Sequence, residues 1–300
     1  MGLKQMKIAI VLGTRPEIIK MAPIIMEAEN GRGDYYILHT GQHYSYNLDR
    51  VFFEQLDLPQ AKYNLEVGSG SHAEQTAGIL IGVEKVLQQE RPDVVLVEGD
   101  TNSALAGALA ATKLHIHVGH VEAGLRSYDR QMPEEVNRIL ADHCSDYLFA
   151  PTEKAEGVLR GEGIPEEKIF VTGNTIVDAL YQNQDNARDR GNTAAMLHLD
   201  PGKYFLVTLH RQENVDDPDR FGEILEGLGR VAHEFHLPVV YPVHPHSRQR
   251  IKEFGLRPRN IAIIDPVDFL DFLQLERNAR LILTDSGGVQ EESCILRVPC

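Results

Sequence analysis

His117-Val118-Gly119-His120-Val121-Glu122-Ala123-Gly124-Leu125-Arg126 opens as an apolar strand and breaks at its glycines. Pro133-Glu134-Glu135-Val136-Asn137-Arg138 then begins a helix. A strand that turns directly into a helix is half of a βαβ unit, the element from which parallel sheets are built. Glu122, Arg126, Glu134, Glu135 and Arg138 crowd charge beside the carboxyl end of that strand. Carboxylates and guanidiniums together there suit an anionic substrate and the movement of protons.

Outward from this stretch the same alternation repeats. Strands are expected at Lys7–Leu12, Tyr35–Thr40, Val94–Glu98, Ile116–Val121, Tyr147–Ala150 and Ile169–Thr172. Helices are expected at Pro16–Asn30, Ala73–Gln89, Asn102–Thr112, Pro133–Ser145 and Glu153–Glu162. Several of the strands are Val/Ile runs with little alternation, as in sheets covered on both faces. Pro16 suits a first helical position and Pro23 is expected to kink its helix.

A polar segment, Thr175–Gly191, then intervenes and the pattern restarts. Strands are expected at Tyr204–Leu209, Val239–Val243, Ile261–Ile264 and Leu281–Thr284, with helices at Pro218–Phe235, His246–Phe254, Phe269–Asn278 and Gly288–Ile295. The reading is an α/β protein of two Rossmann-like domains, 1–173 and 174–300, with one large sheet as the alternative.

The 300 residues are 42% hydrophobic and 25% charged, an ordinary globular balance. A net charge of −14 argues against a general nucleic-acid or anionic-membrane surface, so any phosphate must be held by local basic groups and helix ends. No apolar window has transmembrane length, and no signal-peptide layout precedes the first strand. Cys144, Cys294 and Cys300 read as structural thiols of a reducing cytoplasm. Arg297-Val298-Pro299-Cys300 reads as the start of another buried strand, so further C-terminal sequence is expected.

Arg15, Asp100, Glu122, His210, His244 and Ser286 each fall just after an expected strand. Open α/β sheets bind ligands outside the carboxyl ends of their strands, and one cleft between two domains would gather all six. In Gly13-Thr14-Arg15-Pro16-Glu17, a turn delivers Arg15 to a helix N-terminus, with Lys20 one turn on, a setting that attracts phosphate. Asp285-Ser286-Gly287-Gly288 is the counterpart in the second half, where two glycines let backbone amides approach a phosphate. Glu292, one turn inside the following helix, is placed to accept from ribose hydroxyls. His210 and His244 end neighbouring strands and point to a shared ligand.

His115, His117 and His120 resemble a metal cluster, but no Cys or HExxH pattern supports one, and the structural reading is preferred. Gly68-Ser69-Gly70-Ser71-His72-Ala73 matches the dinucleotide fingerprint G-x-G-x-x-A. It lies in the third βα unit, and the first βα turn lacks the pattern, so NAD is not expected.

Gly13-Thr14-Arg15-Pro16-Glu17-Ile18-Ile19-Lys20-Met21-Ala22-Pro23, Thr40-Gly41-Gln42-His43, Glu98-Gly99-Asp100-Thr101, His120–Arg126, Pro133–Arg138 and Asp285–Glu292 occur in this order. Together they resemble the non-hydrolysing UDP-N-acetylglucosamine 2-epimerases. That resemblance implies a glycosyltransferase-B arrangement with the site in an interdomain cleft, a cytoplasmic homodimer, and no cofactor or metal. The implied reaction interconverts UDP-GlcNAc and UDP-ManNAc by eliminating UDP to a 2-acetamidoglucal and adding it back, with no nucleic-acid or membrane partner.

By the same resemblance Asp100, Glu122 and Glu134 are the catalytic carboxylates and His210 is the active-site histidine. Arg15, Ser286, Gly287, Gly288 and Glu292 contact UDP; Lys20, Arg138 and His244 line the cleft; Phe272 lies on the uracil side. Gln42 and His43 match part of an allosteric UDP-GlcNAc site of bacterial relatives, although Ile139 stands where those relatives carry an acid. Two rival readings share these residues: a hydrolysing epimerase that releases ManNAc and UDP, and a non-catalytic nucleotide-sugar-binding protein.

Overall fold

Ala9, Ile10, Val11 and Leu12 are wholly buried, as the central strand of a doubly covered sheet must be. They belong to β1 (Lys7–Leu12), followed by α1 (Arg15–Asn30), β2 (Asp34–His39), α2 (Tyr46–Gln55), β3 (Tyr63–Asn64), α3 (His72–Glu90) and β4 (Val94–Glu98). Next come α4 (Asn102–Lys113), β5 (His117–Val121), α5 (Pro133–Cys144), β6 (Tyr147–Ala150), α6 (Glu153–Gly161), β7 (Ile169–Val171) and α7 (Thr175–Asp189). The computed structural model describes residues 6–31, 33–42, 46–189 and 193–300.

The first seven strands form one sheet in the order β3-β2-β1-β4-β5-β6-β7, with every pairing parallel. This order reverses between β1 and β4, the switch point where ligands bind in such sheets. The core cluster joins β1, β4 and β5 to α3 and α4, including Val11, Val83, Val97, Ala106 and Val118. Alanines on α4 let that helix sit close to the sheet; Ala104, Ala106, Ala108, Ala110 and Ala111 are all buried.

Gly13 ends β1 because nothing larger fits. A Cβ there would lie 1.9 Å from the Thr40 Oγ1 and 2.4 Å from the Ser103 Oγ. Gly13→Ala is expected to cost about 3 kcal/mol, the upper part of the overpacking range, read as a lower urea midpoint at unchanged m-value.

The second group of elements is α8 (Thr193–Met196), β8 (Phe205–Thr208), α9 (Gln212–Val215), α10 (Pro218–Phe235), β9 (Val239–Pro242), α11 (Pro245–Glu253), β10 (Ile261–Ile264), α12 (Phe269–Asn278), β11 (Leu281–Thr284) and α13 (Gly287–Leu296). Its strands pair in parallel in the order β10-β9-β8-β11, which reverses between β8 and β11. Phe205, Val207, Phe221, Leu225, Val239 and Tyr241 pack one face of this sheet. Leu206, Val240, Leu275 and Ile282 pack the other.

The chain divides into two compact units, Met1–Ala179 and Leu180–Cys300. The division falls inside α7, within the polar segment after which the strand–helix pattern restarts. Ile176, Ala179, Leu180 and Asn183 are buried at helical spacing, and that narrow stripe makes an amphipathic helix out of a polar run. α1 runs unbroken through Pro23. Of the three cysteines, Cys144 is half-buried against the core while Cys294 and Cys300 are exposed, which departs from the expected apolar settings. No described helix is long and apolar enough to cross a membrane.

Candidate active site

In the first unit the turns after β1 and β4 face each other across the switch point. Glu17, wholly buried in the first turn of α1, joins them: the Gly13 amide and the Thr101 hydroxyl donate to its two oxygens at 2.9 and 2.7 Å. Burial pushes its carboxyl above the usual range, against those hydrogen bonds. Thr101 in turn caps α4, accepting from the Ala104 amide.

Glu122 follows β5 in left-handed backbone, φ +67°. This conformation costs a non-glycine residue about 1–3 kcal/mol and collects at functional sites. Its carboxylate receives the Lys20 ammonium at 2.7 and 2.8 Å and the Asn174 amide at 3.1 Å. Burial works to raise its pKa, but the Lys20 charge and these donors outweigh it and leave Glu122 below the usual carboxylate range. Asp100, two residues past β4, pairs with the Arg138 guanidinium from α5. Glu134, half-buried at the start of α5, has no hydrogen bond or ion pair with the described residues. Arg15 is exposed and stacks its guanidinium 5.0 Å from the Phe52 ring centroid.

Arg126 turns elsewhere, and Glu135, 3.6 Å from the Arg138 guanidinium, also braces a loop. Arg126 binds Asp142 at 2.7 Å and Glu162 at 2.6 Å. Glu135 is buried and accepts from the Ser127 amide and hydroxyl and the Tyr128 amide, holding the loop before α5. His120 is fully buried, with Nδ1 at 2.7 Å from Asp142 and Nε2 at 2.8 Å from the Gly99 carbonyl. Burial alone would lower the His120 pKa, yet Asp142 raises it beyond that, so the ring donates from both nitrogens. His117 is exposed beside Asp146. Among the described residues no group of three His, Cys, Asp or Glu side chains is arranged for a metal.

The second unit repeats the arrangement with different chemistry. Asp285, just past β11, accepts from the amides of His210 and Arg211 and from the Asn214 side chain. It also pairs with His210 Nδ1 at 3.1 Å, bridging β8 and β11. A carboxylate on Nδ1 fixes the ring and leaves Nε2 outward. Ser286 caps α13, its oxygen accepting from the Val289 amide at 3.4 Å. A Cβ on Gly287 would meet nothing within 4 Å, so the first turn of α13 is open to an approaching group.

Glu292 lies one turn into α13 beside Glu276, a buried carboxyl on α12. Burial, then the Glu292 charge and hydrogen bond, push Glu276 well above the usual range, so it donates to Glu292. His244 caps α11, its Nδ1 accepting from the His246 amide at 3.3 Å. Phe272 is half-buried and packs on the core.

Gln42 is also engaged internally. Its side-chain oxygen accepts from the Ser103 amide and hydroxyl, and its carbonyl from Gln75. His43 lies outside the described residues. The fingerprint-like Gly68–Ala73 stretch follows the edge strand β3, and Ser71 and Glu74 form a capping box on α3. Glu98 and Asp285 lie in quoted motifs without a role assigned to them, and Glu276 was not singled out; each meets a partner on another element.

A family model described as UDP-N-acetylglucosamine 2-epimerase matches residues 26–300. The chain belongs to the UDP-N-acetylglucosamine 2-epimerase family. It is 56% identical over 302 residues to the UDP-N-acetylglucosamine 2-epimerase of Methanocaldococcus jannaschii, covering 98% of this chain and 82% of that one. A crystal structure of the M. jannaschii UDP-GlcNAc 2-epimerase in complex with UDP-GlcNAc and UDP superposes with TM-score 0.88 at 57% identity, covering 98% of this chain and 83% of that chain. A UDP-2,3-diacetamido-2,3-dideoxy-D-glucuronate 2-epimerase of Pseudomonas aeruginosa is 43% identical, covering 98% of this chain and 82% of its own.

Proposed function

We propose that this family member interconverts UDP-GlcNAc and UDP-ManNAc by elimination and re-addition of UDP. The observation that carries the reading is the Lys20-bound Glu122 and the Arg138-bound Asp100, just past the carboxyl ends of the adjacent strands β5 and β4. The C2 proton of the sugar is not acidic, because no carbonyl adjoins that carbon. A carboxylate takes the proton, the C2–H electrons form the C1=C2 bond, and the C1–O bond breaks with its electrons passing to UDP. Return of a proton to the opposite face of C2, with UDP attacking C1, completes epimerisation.

Glu122, held ionised by Lys20, is suited to accept a proton. Asp100 and Glu134 are the further carboxyls from which the second face can be protonated. Departure of UDP needs cations and amides at the diphosphate. Arg15, His210, and the open turn of α13 with Ser286, Gly287 and Gly288 have that chemistry, with His244 near them in role. Glu292, positioned by Glu276, is a ribose acceptor, and the exposed part of Phe272 a surface for uracil.

The free thiols fit a reducing compartment, and we read the enzyme as cytoplasmic and homodimeric, the latter to be read by sedimentation equilibrium. Incubation with UDP-GlcNAc in D₂O is expected to place deuterium at C2 of both epimers. Unlabelled sugar nucleotide would overturn the mechanism, and accumulation of free ManNAc with UDP would mark a hydrolysing enzyme. The Pseudomonas relative supports a second reading, and the diacetamido-glucuronate substrate run in parallel decides between them.

A further inference from the structure

We propose that Glu98 is a positioning residue for Glu122, a buried carboxylic acid whose O–H donates to the Glu122 carboxylate and thereby sets its direction and its hold on a proton. This inference rests on Glu122 acting in proton transfer, but the hydrogen bond itself can be tested without turnover.

Glu98 is the last residue of β4 and lies in register with Val121, the residue before Glu122. Its side chain is only 3% exposed, and it meets the Glu122 carboxyl through a side-chain hydrogen bond. The groups facing it are few. Lys20 and Glu17 come from α1, with the Lys20 ammonium 3.4 Å from Glu98 and 2.7 Å from Glu122. Glu122 comes from the end of β5, and Asn174, after β7, donates to Glu122 and not to Glu98.

Glu98 and Glu122 thus share one ammonium, with the Glu17 carboxyl close enough to act on Glu98. Were all three ionised, two negative charges would be buried without compensation, a state the interior does not tolerate. Glu17 already takes the Gly13 amide and Thr101 hydroxyl. Lys20 sits nearer Glu122, so Glu122 keeps the charge and Glu98 keeps the proton. Burial first, and the Glu122 charge after it, drive Glu98 well above the usual carboxylate range, against the pull of Lys20. Two adjacent carboxyls whose surroundings separate their proton affinities have separated roles. A donor to the ionised form lowers the proton affinity of Glu122, which keeps it ready to receive the C2 proton.

Glu98→Gln retains a hydrogen-bond donor and Glu98→Leu removes it. Infrared spectra of the protein near neutral pH should show protonated carboxylic C=O absorption, of which Glu98→Gln removes one component and leaves that of Glu276, and which Glu122→Gln displaces. The acid limb of kcat/KM should stay in place in Glu98→Gln and move upward by about one pH unit in Glu98→Leu, a tenfold change in proton affinity. Retention of the whole carboxylic band in Glu98→Gln overturns the proposal. An acid limb in Glu98→Leu identical to the parent overturns it as well. Should Glu98→Leu not fold, the band in Glu98→Gln still decides. If no UDP-sugar is turned over but that component is lost, the reading of the reaction fails and the hydrogen bond stands.

Discussion

Glu122→Gln is expected to lower kcat by about 10²–10⁴-fold, the usual worth of a positioned acid or base, with little change in KM. Glutamine has the same shape and still accepts from Lys20, so the strained turn after β5 persists. It cannot take a proton. Formation of UDP-ManNAc, followed by chromatography alongside solvent deuterium uptake at C2, reads the loss. A variant within tenfold of the parent removes Glu122 from proton transfer. The pH dependence has a fixed sign. The proposed mechanism needs Glu122 ionised, and its pKa lies below the ordinary 4.5 because Lys20 and its hydrogen bonds outweigh burial. The parent should therefore keep kcat/KM level as pH falls to that value and lose it only below.

Asp142→Ala should be the most damaging single change to stability. The Asp142 carboxylate is completely buried between His120 and Arg126 and also accepts from the Gly124 amide, so its loss leaves buried His120 and that amide without their acceptor and Arg126 with Glu162 alone. Breaking such a pair by removing one partner costs about 3–5 kcal/mol, or on the order of 10 °C in Tm for a unit of this size. The triad also sets a pH signature. The folded pKa of His120 lies above its ordinary 6.5, so its stabilisation is full below 6.5 and fades as pH rises through the folded value. Asp142 lies below its ordinary 3.8, burial being outweighed by His120 and Arg126. Its contribution is present above 3.8 and is lost as pH falls through the folded value. Thermal melts should show both limbs in the parent and neither in the variant.

Much of the fold was legible because Val/Ile runs and capped helices announce themselves locally. Lys7–Leu12, Val94–Glu98, Ile261–Ile264, Leu281–Thr284, Pro218–Phe235 and Phe269–Asn278 lie where their periodicity placed them. Strand order was not legible, since it is set by packing between segments far apart in sequence. The order explains why Arg15 and Asp100, or His210 and Ser286, belong to facing turns. Side-chain direction was equally hidden. Arg126 and Glu135 share a charged stretch with Glu122 and Arg138, yet one serves the Asp142 triad and the other caps a loop. The helix α7 is hidden in its sequence because five polar residues in a row, 182–186, obscure a stripe of Ile176, Ala179, Leu180 and Asn183. The roles of Asp285 and Glu98 were not legible because a carboxyl's partner on another strand leaves no mark beside it in the chain.

The crowding at Gly13 has a practical consequence for redesign. Gly13, Thr40, Ser103 and Gln42 form one closed chain of contacts: the glycine abuts both hydroxyls, the hydroxyls bond each other at 2.8 Å, and Ser103 bonds Gln42. Libraries that vary the Arg15 turn one position at a time will return mostly unstable proteins. Variation at 13, 40 and 103 must be sampled jointly, because contacting positions do not behave additively. The turn between β1 and α1 is therefore a module to be exchanged whole, together with the end of β2 and the start of α4.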